Sequence, residues 1–103
     1  AKELIFTGKI IDARTAERIG LVNAVIPPEQ FRSEVRKLAS EIAGKPPIAL
    51  KLAKDLINRG LNASLESALA HEAEAFGLVA STEDFREGTR AFLEKRKPKF
   101  KGR

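Results

Sequence analysis

The helical character of this chain is set by residues 27–60, which read PPEQFRSEVRKLASEIAGKPPIALKLAKDLINRG. Two proline pairs and two glycines divide this stretch into two segments of helical length. Proline is tolerated at the first position of a helix, and glycine is typical of the position just after its end. The pattern therefore predicts one helix from Pro28 to Gly44 and another from the second proline pair to Gly60.

Apolar residues recur in both segments at intervals of three and four, which is the spacing of one face of an α-helix. The first stripe consists of Phe31, Val35, Leu38 and Ile42. The second consists of Ala49, Leu52, Ala53, Leu56 and Ile57. We expect these stripes to help enclose a small helical core.

The N-terminal part predicts two short helices and a strand. Residues 1–6 form the first helix, while Asp12 caps the second, residues 13–19, and Gly20 suits the position after its end. Residues 21–26, LVNAVI, are rich in β-branched side chains and bounded by glycine and proline, which makes them the one good strand candidate. A single strand must pair with another strand edge.

The C-terminal part predicts two longer helices. Ser64 is placed to cap the first, and Thr82, followed by two acids, opens the second, which Pro98 stops. The apolar side of the first is formed by Leu65, Ala68, Leu69, Ala73, Phe76 and Val79. Gly77 and Gly88 interrupt these patterns, which is more often explained by close helix packing than by phosphate binding. The expected fold class is mainly α, with one short strand at residues 21–26.

Composition excludes several classes of protein. The 103 residues are 43% hydrophobic and 32% charged, which is typical of one small globular domain. No apolar run approaches the roughly 20 residues of a membrane span. With no cysteine and one histidine, a disulfide framework, thiolate chemistry and a histidine-based zinc site are not expected, and we expect no metal. The lack of cysteine fits a reducing compartment, so we expect a cytoplasmic protein.

Apolar surface exceeds what so short a chain can cover. Leu50, Leu61 and Leu78 lie off the main stripes, and the predicted strand has no partner. Both features indicate a partner surface, either another copy or a missing part of the chain; the alternative is that scattered exposed leucines are normal. The chain begins with Ala1 rather than methionine, and we expect it to be cut from something longer or processed.

Positive charge is concentrated at the C-terminal end. Residues 94–103, EKRKPKFKGR, contain six Lys or Arg and one Glu, and their net charge of +5 equals that of the whole chain. Such a tail is either a solvated helix end or a phosphate clamp, in which cations and Phe100 hold a nucleotide by charge and stacking. Lys95, Arg96 and Lys97 are expected in the last helical turn, where cations complement the helix dipole.

Acidic residues and the histidine give no grounds for catalysis. Glu72 lies beside an apolar stripe and is expected to be partly buried, while Glu83, Asp84 and Glu87 cluster in the first turn of the last helix. A structural role in pairing or capping is expected for all four. His71 points away from the apolar face and is expected to be a surface residue. No phosphate-cradling glycine loop is present.

Two groups of residues carry a family resemblance. Residues 1–27, with AKELIFTG at 1–8 and IGLVNAVIP at 19–27, closely resemble the third quarter of enoyl-CoA hydratases of the crotonase family. Residues 83–100, with Glu87-Gly88 and AFLEKRKPKF at 91–100, look like that family's C-terminal signature, in the same order and at the same separation. The resemblance covers essentially the whole chain. It implies that residues 1–103 form the helical C-terminal region of a crotonase-type α/β spiral fold, without the N-terminal catalytic spiral domain.

The resemblance implies an enzyme that adds water to trans-2-enoyl-CoA thioesters in fatty-acid or related acyl-CoA degradation. The substrate is a coenzyme A thioester and no cofactor is implied. Two catalytic glutamates and the oxyanion hole belong to the absent domain, so this segment contains no catalytic residue and is expected to be inactive alone. Phe76 and Lys95 match residues that approach the adenine end of CoA bound in a neighbouring subunit. Packing into trimers and hexamers is implied as well.

Three alternatives remain open from the sequence. Another crotonase-family activity, such as enoyl-CoA isomerase, cannot be separated from hydratase activity without the missing half. A helical nucleic-acid-binding module would use the basic tail, but the neutral body and the absence of a row of basic residues on one helix argue against it, and no nucleic-acid partner or membrane is expected. A purely structural oligomerisation domain is the third.

Overall fold

The computed structural model describes all of residues 1–103 and consists of six α-helices. They are α1 (Lys2–Thr7), α2 (Ala13–Arg18), α3 (Pro28–Ala43), α4 (Pro47–Gly60), α5 (Leu65–Ala80) and α6 (Glu83–Leu93). The expected mainly α fold is confirmed, and no helix is both long enough and apolar enough to cross a membrane.

The predicted N-terminal caps are confirmed. Asp12 Oδ1 accepts a hydrogen bond of 2.7 Å from the Thr15 N–H and so begins α2. Ser64 Oγ accepts from Ser67 at the start of α5, and Thr82 Oγ1 accepts from the Phe85 N–H at 3.1 Å at the start of α6. Each cap satisfies one of the backbone donors that a helix leaves unpaired in its first turn.

Glycine ends α2 as the sequence predicts. Gly20 adopts φ 74°, a left-handed conformation that costs glycine little because it lacks a Cβ. The Gly20 N–H then donates to the Glu17 carbonyl at 3.0 Å, and the Leu21 N–H donates to the Ala16 carbonyl at 2.8 Å. This pair of bonds is a Schellman motif, which reverses the chain direction at the helix end.

The predicted strand at residues 21–26 is wrong, because the structure contains no strand. The segment follows the Schellman turn as bends and irregular chain. Three of its backbone donors pair with α2 instead of with a strand edge: Leu21 and Val22 both donate to the Ala16 carbonyl, and Val25 donates to Glu17 Oε1 at 3.2 Å. A β-branched sequence is not sufficient for a strand when no other edge is available to pair with it.

The chain divides into two compact units, residues 1–38 and residues 39–103. The first contains α1, α2 and most of α3. In the second, α4 packs against α5 and α5 packs against α6. The α4 stripe is partly covered by this packing, since Leu52 and Leu56 are half-buried.

The expected core of packed apolar stripes is not formed within this chain. The only buried apolar residues are three small ones, Ala16, Ala75 and Ala91. Phe31 on α3 is 55% exposed and Leu69 on α5 is also 55% exposed. Leu50, Leu61 and Leu78, which lie off the stripes, are exposed as well. The apolar side chains of α3 and α5 therefore leave large exposed apolar faces on this chain.

Candidate functional site

The basic C-terminal residues form a strap, defined here as residues 95–103, that returns along α6. The expectation that Lys95, Arg96 and Lys97 extend the last helix is wrong, because α6 ends at Leu93. Pro98 explains part of this difference, since proline removes a backbone donor and disfavours helical geometry in the residue before it. In addition, hydrogen bonds to Glu87 and Asp84 of α6 hold the strap in a non-helical path.

Lys95 occupies the turn between α6 and the strap. Its φ of 53° is left-handed, and it is the only residue other than glycine with a positive φ. The Lys95 N–H donates to the Phe92 carbonyl at 3.2 Å, and the Arg96 N–H donates to the Ala91 carbonyl at 3.0 Å. These bonds form a second Schellman motif, with lysine where glycine is usual.

Glu87 fastens the first half of the strap to α6. Arg96 Nη1 donates to Glu87 Oε1 at 2.7 Å, and Arg96 Nη2 donates to Oε2 at 2.9 Å, so the pairing is bidentate. The Lys99 N–H also donates to Glu87 Oε1, at 2.8 Å. The hydrogen bonds from Arg96 and then from Lys99 lower the pKa of Glu87 to about 2, and the contacts with Glu87 and Glu94 raise the pKa of Arg96.

Asp84 fastens the second half. Its side chain accepts from the Lys101 N–H at 2.7 Å and from the Gly102 N–H at 2.8 Å, and only 2% of the residue is exposed. The Asp84 N–H in turn donates to the Arg103 carbonyl at 3.0 Å. Each oxygen of this buried carboxylate accepts a backbone hydrogen bond from the strap, so Asp84 has a structural role, as the sequence predicts.

Gly88 makes room for the aromatic ring of the strap. A Cβ at this position would lie 3.4 Å from the Phe100 ring, whereas nothing lies within 4 Å of a Cβ placed at Gly77. Gly88 therefore accommodates the strap and does not serve the helix packing expected from the sequence. Phe100 is half-buried in this contact, so the stacking role that the clamp hypothesis gave it is not available to its covered part.

The strap divides its cations into two groups. Arg96 is paired with Glu87 and Glu94, and Arg103 Nε donates to Glu83 Oε2 at 3.0 Å. The remaining cations are exposed and have no carboxylate partner; they are Lys95, Lys97, Lys99 and Lys101. The strap thus presents four ammonium groups that are available to bind an anion.

Phe76, the other expected contact residue, is 63% exposed on α5. Its ring meets Phe85 of α6 edge to face, with the ring centroids 6.1 Å apart and the planes at 88°. Phe85 and Leu93, next to the Lys95 turn, stand about 12 Å apart along the α6 axis. Phe76 of α5 therefore lies near the N-terminal end of α6, through its contact with Phe85, whereas Lys95 follows the C-terminal end of α6.

The other acidic and basic candidates are not assembled into a catalytic site. Glu72 is exposed, so its expected partial burial is wrong; it borders an open groove between α4 and α5. His71 is exposed, as predicted. No group of three or more acidic or histidine side chains is placed to hold a metal ion. Sequence reasoning missed the specific pairing of Glu87 and Asp84 with the strap, although their three-residue spacing puts them on one helix face.

Acidification is expected to release the strap from α6. Because the pKa of Glu87 is about 2 in the folded chain against an ordinary 4.5, its ionised form stabilises the strap fully above pH 4.5. That contribution is lost as the pH falls from 4.5 through about 2. The measurement is the hydrogen-exchange protection factor of the Lys99 amide across this range. In Glu87→Gln the protection should already be low at neutral pH, and a Lys99 protection factor that is independent of pH in the unmodified chain would contradict this role.

Comparison with known proteins identifies relatives over the whole length. A family model described as Enoyl-CoA hydratase/isomerase matches residues 1–103. The crotonyl-CoA hydratase of Syntrophomonas wolfei is 46% identical over 100 residues, which cover 97% of this chain and 38% of that protein. The short-chain-enoyl-CoA hydratase of Clostridium acetobutylicum is 47% identical over 97 residues, covering 94% of this chain and 37% of that protein. The chain thus spans less than two fifths of the length of these relatives.

The structure is also similar to crystal structures of known proteins. An enoyl-CoA hydratase from Bacillus anthracis superimposes with a TM-score of 0.95 at 41% identity, covering 99% of this chain and 40% of that one. An enoyl-CoA hydratase subunit from Geobacillus kaustophilus gives a TM-score of 0.91 at 40% identity, covering 98% of this chain and 39% of that one. The six-helix arrangement is therefore a recurring part of a larger fold.

Proposed function

The chain belongs to the enoyl-CoA hydratase/isomerase family, and from this membership we propose that it is the C-terminal helical part of an enoyl-CoA hydratase. Such an enzyme adds water to the double bond of a trans-2-enoyl-CoA thioester in fatty-acid or related acyl-CoA degradation. The names of the relatives support hydration in preference to isomerisation, because two of them are hydratases of crotonyl-CoA or short-chain enoyl-CoA. A cytoplasmic location belongs to the same proposal and is supported by the absence of cysteine.

One role of this part is to pack against other protein. The observation that carries the proposal is that the apolar faces of α3 and α5 are uncovered in a chain that the family model matches from end to end. Phe31, Leu38 and Leu69 are each more than half exposed. We assign these faces to contacts with an N-terminal catalytic domain and with other subunits, in a trimer or hexamer.

A second role is to contact the nucleotide end of the CoA substrate. Lys95 and Phe76 are the residues proposed for this contact, and the CoA that they contact is bound in the site of a neighbouring subunit. Both side chains are exposed, and Lys95 lies among the four unpaired lysines of the strap, which give this surface a positive charge. An ammonium group recognises a phosphate by a charge-assisted hydrogen bond, and an exposed aromatic face suits an adenine ring.

The experiment that tests the proposal is a chimera. The matched segment of the Syntrophomonas wolfei crotonyl-CoA hydratase is replaced by residues 1–103, and hydration of crotonyl-CoA is measured. We expect kcat/KM within about tenfold of the unmodified relative, because 46% identity and a shared fold preserve the segment's packing. The matched control is the same relative truncated before the segment, which should be inactive. A chimera that folds and assembles but does not hydrate crotonyl-CoA would overturn the proposal.

A further inference from the structure

Lys95 stands at a position that disfavours lysine. A left-handed φ of 53° brings a Cβ close to the following carbonyl oxygen, which is why glycine is common at this place in a Schellman motif. A residue held in such a conformation persists only when the surrounding structure fixes it. The contacts on the two sides of Lys95 therefore fix the backbone turn and with it the direction in which the Lys95 side chain leaves the backbone.

On the helix side, the turn is fixed by the two backbone bonds from Lys95 and Arg96 to α6. On the strap side, it is fixed by one carboxylate. Glu87 accepts hydrogen bonds from Nη1 and Nη2 of the Arg96 guanidinium and from the Lys99 N–H. It therefore binds the chain on both sides of Pro98. Arg96 Nη1 also donates to the Lys97 carbonyl at 3.3 Å, which closes the loop between these points.

We propose that Glu87 is a positioning residue for Lys95: by clamping Arg96 and Lys99 it fixes the left-handed turn and directs the Lys95 ammonium group toward the CoA phosphates. This inference rests on the proposed function of Lys95 as a CoA contact. Glu87 itself touches no substrate in this scheme. It acts on the Lys95 turn through the Arg96 guanidinium and the Lys99 N–H, so its effect belongs to substrate binding and not to the chemical step.

The test uses the chimera with two substrates, crotonyl-CoA and crotonyl-pantetheine, the second of which lacks the nucleotide. Glu87→Gln keeps the size of the side chain but loses the charged fork to Arg96. We expect the KM for crotonyl-CoA to rise by about threefold to tenfold with kcat unchanged. The reason is that the charge-assisted contact between Lys95 and a CoA phosphate is weakened indirectly, when the Lys95 turn is no longer held in place. The KM for crotonyl-pantetheine should not change, whereas a general loss of structure would affect both substrates.

Glu83→Gln is the matched control. It removes the same charge from the same helix and breaks an ion pair with the far end of the strap, at Arg103. We expect no change in either KM. Arg96→Gln is a second test variant, for use if Glu87→Gln does not fold. It breaks the same bidentate pairing from the other side and leaves Glu87 free to accept from the Lys99 N–H. We expect it to raise the KM for crotonyl-CoA by the same factor.

A double-mutant cycle separates this inference from the proposed function. If Glu87 acts through Lys95, Glu87→Gln has no further effect on KM once Lys95 is changed to alanine. An equal rise in KM in both backgrounds, or a rise for crotonyl-pantetheine too, would overturn the positioning role while leaving the CoA contact of Lys95 intact. An unchanged KM in Lys95→Ala alone would instead overturn the proposed contact, and the positioning role with it.

Discussion

The isolated 103-residue chain is expected not to hydrate crotonyl-CoA. Hydration needs an acid and a base in a closed site, with donors that polarise the thioester carbonyl. In this chain Glu87 and Asp84 are occupied by the strap, and Glu72 is exposed beside an open groove. The measurement is the loss of enoyl-thioester absorbance with the isolated chain, with the active chimera as the positive control. Turnover above background that disappears in Glu72→Gln or Glu87→Gln would contradict this assignment.

Lys95→Ala is expected to raise the KM for crotonyl-CoA in the chimera with kcat nearly unchanged. A charge-assisted hydrogen bond contributes about 1.5–3 kcal/mol when well formed, and screening reduces this at an exposed side chain. We therefore expect a rise of about tenfold. Because the nucleotide is the same in the ground state and the transition state, its loss affects binding and not the chemical step. KM and kcat are measured over a range of salt concentrations.

Lys54→Ala provides the control, since it removes an exposed lysine from α4, outside the strap. Its KM should match that of the unmodified chimera. A KM that is unchanged in Lys95→Ala at every salt concentration would contradict the contact with CoA. It would mean that the strap is a solvated end of the chain. A fall in kcat at constant KM would mean that the strap acts on the chemistry.

Phe76→Ala should act in the same direction if the ring packs on adenine. The sequence predicted a core position, at which truncation costs about 3–5 kcal/mol of stability. In the structure the ring is 63% exposed and its aromatic contact is with Phe85, so we expect a smaller loss, about 0.5–1.5 kcal/mol. The substrate effect and the stability effect are separated by measuring KM and thermal unfolding on the same variant.

Sequence reasoning succeeds where structure depends on nearby residues. Asp12, Ser64 and Thr82 cap their helices because each oxygen accepts from a donor three residues later. Gly20 ends α2 through bonds that span three and five residues. The residue types that make such bonds are few, so their positions in the chain identify the helix ends.

Sequence reasoning fails where structure depends on distant partners. The segment at 21–26 has the composition of a strand, but strand formation is decided by whether a second edge is available. The strap is recognised as basic, but its path is set by bonds from Asp84 to Lys101 and Gly102, 17 and 18 residues away. From the sequence, several carboxylates could pair equally well with several cations. Which pairs form is decided by the path of the folded backbone.

The interface role of the uncovered apolar faces is tested most directly by the mass of the chain in solution. Light scattering is measured over concentrations around tens of micromolar, together with denaturant unfolding followed by circular dichroism. We predict a helical species whose mass exceeds that of one 11.3 kDa chain and rises with concentration, because Phe31, Leu38 and Leu69 are otherwise left in water. A strictly monomeric species that unfolds cooperatively at these concentrations would contradict the assignment of these faces as interfaces.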